Sequence, residues 1–254
     1  MNLPIVLMSF CVGALIGLTS MGGAALMAPF LILIVGVKPV AAVGTDLIYG
    51  AITKIVGAWV HLQQGTVDLI LVRKLALGSV PGGLVGVVTV VLLPLFTQRA
   101  QQIEQKAIAS LLVIVAGVLL TRMLMGFPQS SRSVKWTAFL HGPGPVISGA
   151  IVGFCVGATS VGSGSLLAPF LLMLYPTKTA KVVGTDLFHA AILVSVTGIA
   201  HATFGGVEWH LIPSLLAGSI PGVVLGSRLA IYIPPRPLRT GLAVVLLFTG
   251  IRMF

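Results

Sequence analysis

Long stretches of the chain run apolar without interruption by charge. Residues 1–37, 75–98, 107–121, 136–177, 187–207 and 209–227 contain no Asp, Glu, Lys or Arg. A helix needs roughly 20 apolar residues to cross a bilayer. The runs do not alternate at period two, which speaks against the strands of a membrane barrel, and helices are the remaining way to satisfy the backbone in lipid. The pattern predicts two short segments over 3–18 and 24–37, separated by a break at Thr19 to Gly23, followed by helices near 40–63, 69–93 and 107–125. Joined into one straight helix, the two short segments would reach about 50 Å against a hydrocarbon core of roughly 30 Å. A discontinuous pair is therefore expected, either re-entrant or sharply broken. Gly22, Gly23, Gly162 and Gly164 permit the backbone angles that a continuous helix forbids.

The same pattern occurs twice. A shift of 140 residues superposes residues 13–86 on 153–226 without a gap, and 29 of the 74 pairs are identical. The best-matched blocks are Thr19-Ser20-x-Gly22 with Thr159-Ser160-x-Gly162, Ala28-Pro29-Phe30-Leu31 with Ala168-Pro169-Phe170-Leu171, and Gly44-Thr45-Asp46-Leu47 with Gly184-Thr185-Asp186-Leu187. His61 matches His201, Asp68 matches Glu208, and Gly78-Ser79-x-Pro81-Gly82 matches Gly218-Ser219-x-Pro221-Gly222. The chain thus reads as a first transmembrane repeat over 1–125, a polar linker over 126–135 and a second transmembrane repeat over 136–254. The expected fold is an all-α polytopic membrane protein of about eight to ten helical segments, built from two repeats with discontinuous helices.

Composition agrees. Of 254 residues, 57% are hydrophobic and 8% charged, whereas a soluble domain carries about 25% charged residues. The excess of 15 Lys and Arg over 5 Asp and Glu would suggest nucleic acid in a soluble protein. Here basic loops held on the cytoplasmic side account for it, and no nucleic-acid partner is expected. If each repeat crosses an odd number of times, one side collects Arg73, Lys74, Arg122, Arg132, Lys135, Lys178, Lys181, Arg228, Arg236 and Arg239, and the other Lys38, Arg99, Lys106 and Arg252. An even number spreads them almost equally. The bias favours inverted repeats with both termini outside. Cys11 and Cys155 lie in apolar runs with no metal-ligand spacing, so no metal or other cofactor is implied.

Two similar halves, each with a Gly-rich break, an Ala-Pro-Phe-Leu segment, a Gly-Thr-Asp helix and a Gly-x-x-Pro-Gly helix, resemble the sulfite exporter TauE/SafE family over essentially the whole length. The duplicated Gly-Thr-Asp and Gly-Ser-x-Pro-Gly blocks are the most specific parts of the resemblance. It implies transport of sulfite, thiosulfate, an organosulfonate or a related anion across a prokaryotic inner membrane. It leaves cargo and direction open, because one fold hosts many specificities.

A sulfur oxyanion stripped of water needs hydrogen-bond donors and positive potential, and the N-terminus of a helix supplies both. Thr19, Ser20, Gly22, Gly23, Thr159, Ser160, Gly162, Ser163 and Gly164 are therefore the expected substrate-binding residues, with Ser165 as a further hydroxyl. In an inverted repeat the two breaks would face each other near the centre and form one site. The alternative is that these small residues serve helix packing. Asp46 and Asp186 are intramembrane carboxylates, costly unless used or paired. They are candidates for proton coupling, or for bonding the N–H groups of the neighbouring break and holding it open. Lys54 has Val194 as its counterpart and is the cation well inside a predicted helix, able to meet the anion, to pair with Asp46 or to snorkel toward a helix end. His61 and His201 are expected to cap the last turns of their helices. Gly78, Gly82 and Gly86, with Gly218, Gly222 and Gly226, carry the spacing of close helix contact.

The expected function is a secondary transporter working by alternating access, with a small sulfur anion and protons as partners in a lipid bilayer. The competing reading is a channel or facilitator for a neutral or weakly acidic solute. No G-x-x-x-x-G-K-[ST] motif is present, and no Ser-His-Asp or metal constellation suggests an enzyme. Assembly into a homo-oligomer is left open.

Overall fold

The computed structural model describes residues 3–20, 23–125, 139–162, 164–174, 179–204, 206–232 and 236–253. Among them the first half forms α1 (Leu3–Thr19), α2 (Gly23–Leu33), α3 (Pro39–Gln63), α4 (Leu69–Phe96) and α5 (Ala100–Met125). The second half forms α6 (Gly144–Thr159), α7 (Leu167–Leu174), α8 (Thr179–Thr203), α9 (Ile212–Leu229) and α10 (Arg236–Arg252). No strand occurs among the described residues. The linker expected over 126–135 lies outside them. Five helices, α3, α4, α5, α8 and α9, are long and apolar enough to cross a membrane, while α1 and α6 are apolar but shorter.

Local chemistry sets the ends. Pro39 opens α3 after an extended Lys38, where a missing N–H costs nothing. Asp68 caps α4 by accepting from the N–H groups of Ile70 and Leu71 at 3.1 and 3.2 Å, satisfying donors that the first turn leaves free. Helices α1 and α6 both stop on a serine in the left-handed region, Ser20 at φ 59° and Ser160 at φ 62°. That position is usually glycine, so two equivalent serines there indicate that the hydroxyl matters more than the strain. Helix α5 starts at Ala100, seven residues before the apolar pattern begins. Its first turns are polar and include Glu104, which is buried.

The halves are interlocked. Helix α1 lies alongside α9 of the other half and α4 alongside α6. The contacts obey the 140-residue shift: a side chain on Gly218 would overlap the Val6 carbonyl and one on Gly78 the Val146 carbonyl, and the same holds for Gly222 with Phe10 and Gly82 with Ala150. The small-residue spacing thus marks backbone-to-backbone contact, as expected. The equivalent helices α3 and α8 meet at the centre and run antiparallel. Gly44 lies against His201 and Gly206, Gly198 against Leu47 and Ile48, Gly57 against Leu187, and Gly184 against His61 and Thr66. This register places the midpoint of the pair near Ile52 and Thr53 on α3, and near Ile192 and Leu193 on α8. Helices α5 and α10 are antiparallel too, with Gly250 against Ala109 and Val113 and the Met253 carbonyl accepting from the Gln105 amide. Large apolar side chains such as Leu7, Ile70, Leu77, Leu95, Ile151 and Phe248 face outward, the surface a bilayer covers.

Candidate functional site

Every polar group expected to matter and described in the structure lies along the central α3–α8 pair or at the breaks beside it. The Ser160 hydroxyl donates to the Asp46 carboxylate, and the Ser20 hydroxyl donates to the Asp186 carboxylate. All four residues are buried. Each bridge joins the broken end of one half to the central helix of the other. Each carboxylate thus accepts from a hydroxyl of the opposite half, 114 or 166 positions away.

Further duplicated bonds reinforce the crossing. The Thr185 hydroxyl accepts from the Asp68 N–H at 2.9 Å and the Thr45 hydroxyl from the Glu208 N–H at 2.8 Å. Each threonine hydroxyl in turn donates to a carbonyl one turn earlier, Lys181 or Ala41. The loop entering α4 or α9 is thereby fixed to the central helix of the other half. His61 and His201 do not cap their own last turns. Their Nε2 atoms sit 3.2 and 3.0 Å from the carbonyls of Gly17 and Gly157, which ties each central helix to α1 or α6.

The breaks touch, since a side chain on Gly164 would run into the backbone and hydroxyl of Ser20. Their carboxylate partners are spread out. Asp46 and Asp186 each stand about six residues from the midpoint of α3 and α8, on opposite sides, so they lie on the order of 15–20 Å apart along the pair. Four of the expected donors are engaged. Thr19 and Thr159 donate to the Leu15 and Cys155 carbonyls, both at 2.7 Å, while Ser20 and Ser160 donate to the carboxylates. Ser165 is buried with its hydroxyl unpartnered. Gly22 and Ser163 lie outside the described residues. Gly23 opens α2, and Gly162 and Gly164 adopt φ of 126° and 90°, angles open to glycine and strained for other residues.

The middle of the pair is asymmetric. Lys54 stands within two residues of the midpoint, is 2% exposed, and lies within Coulombic reach of both Asp46 and Asp186. It does not snorkel. His189, in Coulombic reach of Lys54, has its Nε2 2.8 Å from the Ser79 hydroxyl. Its counterpart Tyr49 is fully buried with its phenol unpartnered, while Ser219, the counterpart of Ser79, meets Thr53 at 2.7 Å. Under the 140-residue shift His189 falls on Tyr49 and not on another histidine. Their difference at equivalent positions was the signal that could have picked out both. No group of three His, Cys, Asp or Glu residues able to hold a metal occurs among the described residues.

These features define a multi-pass integral membrane protein whose two similar halves exchange helices and polar contacts about a charged centre. The chain belongs to the sulfite exporter TauE/SafE family, whose model matches residues 5–253. It is 40% identical over 256 residues to a probable membrane transporter protein, YjnA, of Bacillus subtilis (strain 168), covering all of both chains. It is 23% identical over 247 residues to the probable membrane transporter protein YdhB of the same strain, covering 97% of this chain and 98% of that one. A probable membrane transporter protein of Haemophilus influenzae is 26% identical over 263 residues, covering 95% and 94%. No solved structure matches the chain.

Proposed function

We propose that this protein is a secondary transporter that moves a small sulfur-containing anion, such as sulfite, thiosulfate or an organosulfonate, by alternating access in the prokaryotic cytoplasmic membrane. The observation that carries the reading is the pair of Ser–Asp bridges, Ser160 to Asp46 and Ser20 to Asp186, each binding a broken helix of one half to the central helix of the other. Equivalent devices at two levels of one pathway suit a carrier, because releasing one while keeping the other exposes the centre to one side at a time. Lys54 supplies the positive charge for the anion, and Ser165 with the backbone of Gly23, Gly162 and Gly164 provides further contacts. Asp46 and Asp186 are the proton-coupling groups: an ionised carboxylate repels the anion, whereas a protonated one does not. No step of this cycle makes or breaks a covalent bond in the cargo.

The test is counterflow in proteoliposomes preloaded with unlabelled sulfite, thiosulfate, sulfoacetate or acetate, following the labelled form of each at fixed pH. Saturable, preload-dependent uptake of one sulfur anion is expected. Uptake that neither saturates nor depends on preload would instead identify a channel or facilitator. Absence of exchange with every sulfur anion, from folded protein, would remove the cargo assignment.

A further inference from the structure

We infer that the space over Gly50 on α3, between Asp46 and Lys54, is the seat of a small oxyanion that still carries a hydrogen-bond donor. Asp46, Gly50 and Lys54 follow one another at four-residue spacing, and residues so spaced line one face of a helix. Gly50 is buried, yet a methyl group placed on it would have no heavy atom within 4 Å, its own helix backbone and chain neighbours apart. Every other buried glycine among the described residues has a neighbour inside that distance. Tight packing explains those glycines; it does not explain this one. The interior of a protein is close-packed, so an unfilled position between a buried carboxylate and a buried ammonium calls for an occupant.

The second copy lacks the feature. Ala190 and Val194 stand where the first copy has Gly50 and Lys54, and both are buried. The space belongs to one half, beside the midpoint of the pair, so a single solute would occupy it in a single orientation.

The surrounding groups define the chemistry. Lys54 offers only donors and a positive charge, which suits an anionic oxygen. Asp46 has one carboxylate oxygen engaged by Ser160, while the other is buried without a hydrogen-bond partner. The phenol of Tyr49, the residue adjoining Gly50, is likewise buried and unpartnered. Buried polar atoms are normally satisfied, and these two are completed by a ligand that donates one bond and accepts another. With Asp46 ionised, an oxyanion with no donor would set its lone pairs against that free oxygen, so a donor carried by the ligand does for the ionised carboxylate what protonation of Asp46 would otherwise have to do. An acid oxyanion retaining an O–H, such as hydrogensulfite, or a hydroxylated sulfonate meets all three groups. This inference rests on the transporter reading for its cargo and on Gly50 for its location, and the two are separable by experiment.

The test uses Gly50→Cys in the full-length chain with Cys11→Ala and Cys155→Ala, reconstituted in vesicles. The probes are 2-sulfonatoethyl methanethiosulfonate, which is anionic, and 2-(trimethylammonio)ethyl methanethiosulfonate, which is cationic, with rates normalised to a free thiol. The anionic probe is expected to react at least tenfold faster, and Lys54→Gln is expected to bring the ratio near unity. A thiol that reacts with neither probe until the protein is denatured, or that prefers the cation, overturns the site. Protection by 2-hydroxyethanesulfonate should exceed that by ethanesulfonate severalfold; any other order removes the donor requirement. Gly50→Ala should remain monodisperse and lose at least tenfold in exchange, and unchanged exchange overturns the placement. If the unmodified chain exchanges no sulfur anion while the anionic probe still reaches Gly50→Cys, the cargo reading fails and the site stands. If exchange is robust and the thiol is sealed, the reverse holds.

Discussion

A serine in the left-handed region pays for its conformation, and Ser20 and Ser160 do so at equivalent positions while donating to buried carboxylates. Replacing either by alanine keeps the strain and removes the donor. Leaving a buried charged acceptor short of its bond costs about 2–3 kcal/mol, so Ser20→Ala and Ser160→Ala should each lower stability by about that much, measured by thermal or denaturant unfolding in detergent. Glycine at the same position loses the bond but relieves the strain, worth about 1–2 kcal/mol. Ser160→Gly should therefore be milder than Ser160→Ala; equal losses would show that the left-handed turn carries no strain. Asp46→Asn and Asp186→Asn discriminate function from scaffold in the same bridges. Each keeps an oxygen to accept from serine but cannot cycle a proton. Gradient-driven accumulation should fall to background while counterflow persists, and loss of folded protein would mark the carboxylates as purely structural. The sequence disclosed both aspartates, because a carboxylate inside an apolar run must be used or paired. It did not disclose their partners, since the hydroxyls come from the opposite half and no local pattern links them.

At the scale of elements, helix contact depends on the absence of side chains. Where α4 meets α6 and α1 meets α9, a β-carbon on Gly78 or Gly218 would overlap a facing carbonyl. Backbone cannot move aside as a flexible side chain can, and forcing the helices apart loses packing along their length. Gly78→Ala and Gly218→Ala should each cost about 3 kcal/mol or more, within the range of overpacked core sites, and reduce the monodisperse fraction on gel filtration. Gly117, on α5, has nothing within 4 Å of an added β-carbon. Gly117→Ala should be neutral or gain up to about 1 kcal/mol from helix propensity. Neutral or stabilising outcomes at Gly78 and Gly218 as well would show that the glycine spacing does not mark backbone contact. These stripes were legible in the sequence as glycines four residues apart. The start of α5 was not, because Gln101, Gln102, Glu104 and Lys106 mask a helix that runs back to Ala100.

For the whole molecule, the duplicated sequence foretold two similar units, but not that each unit is incomplete alone. Periodicity along one chain reports which faces are apolar and is silent on which half covers them; here α1 is covered by α9, and α6 by α4. Residues 1–125 and 136–254 expressed separately should each fail to give a monodisperse species, whereas co-expression should restore a complex with the exchange activity of the intact chain. Orientation follows from the same arrangement. The central equivalent helices run antiparallel, as do α5 and α10, and we propose that the two halves are inverted across the bilayer. With basic residues retained on the cytoplasmic side, the start of α4, which holds Arg73 and Lys74, should face the cytoplasm and both termini the opposite side. Single cysteines introduced at Arg73, Arg99 and Asn2, in a chain with Cys11 and Cys155 replaced, would be labelled by an impermeant maleimide in intact cells at Arg99 and Asn2 and not at Arg73 until the membrane is opened. Labelling at Arg73 alone would reverse the orientation while keeping the inverted halves, and labelling that puts Asn2 and Arg73 on one face would show that the first half does not cross as proposed.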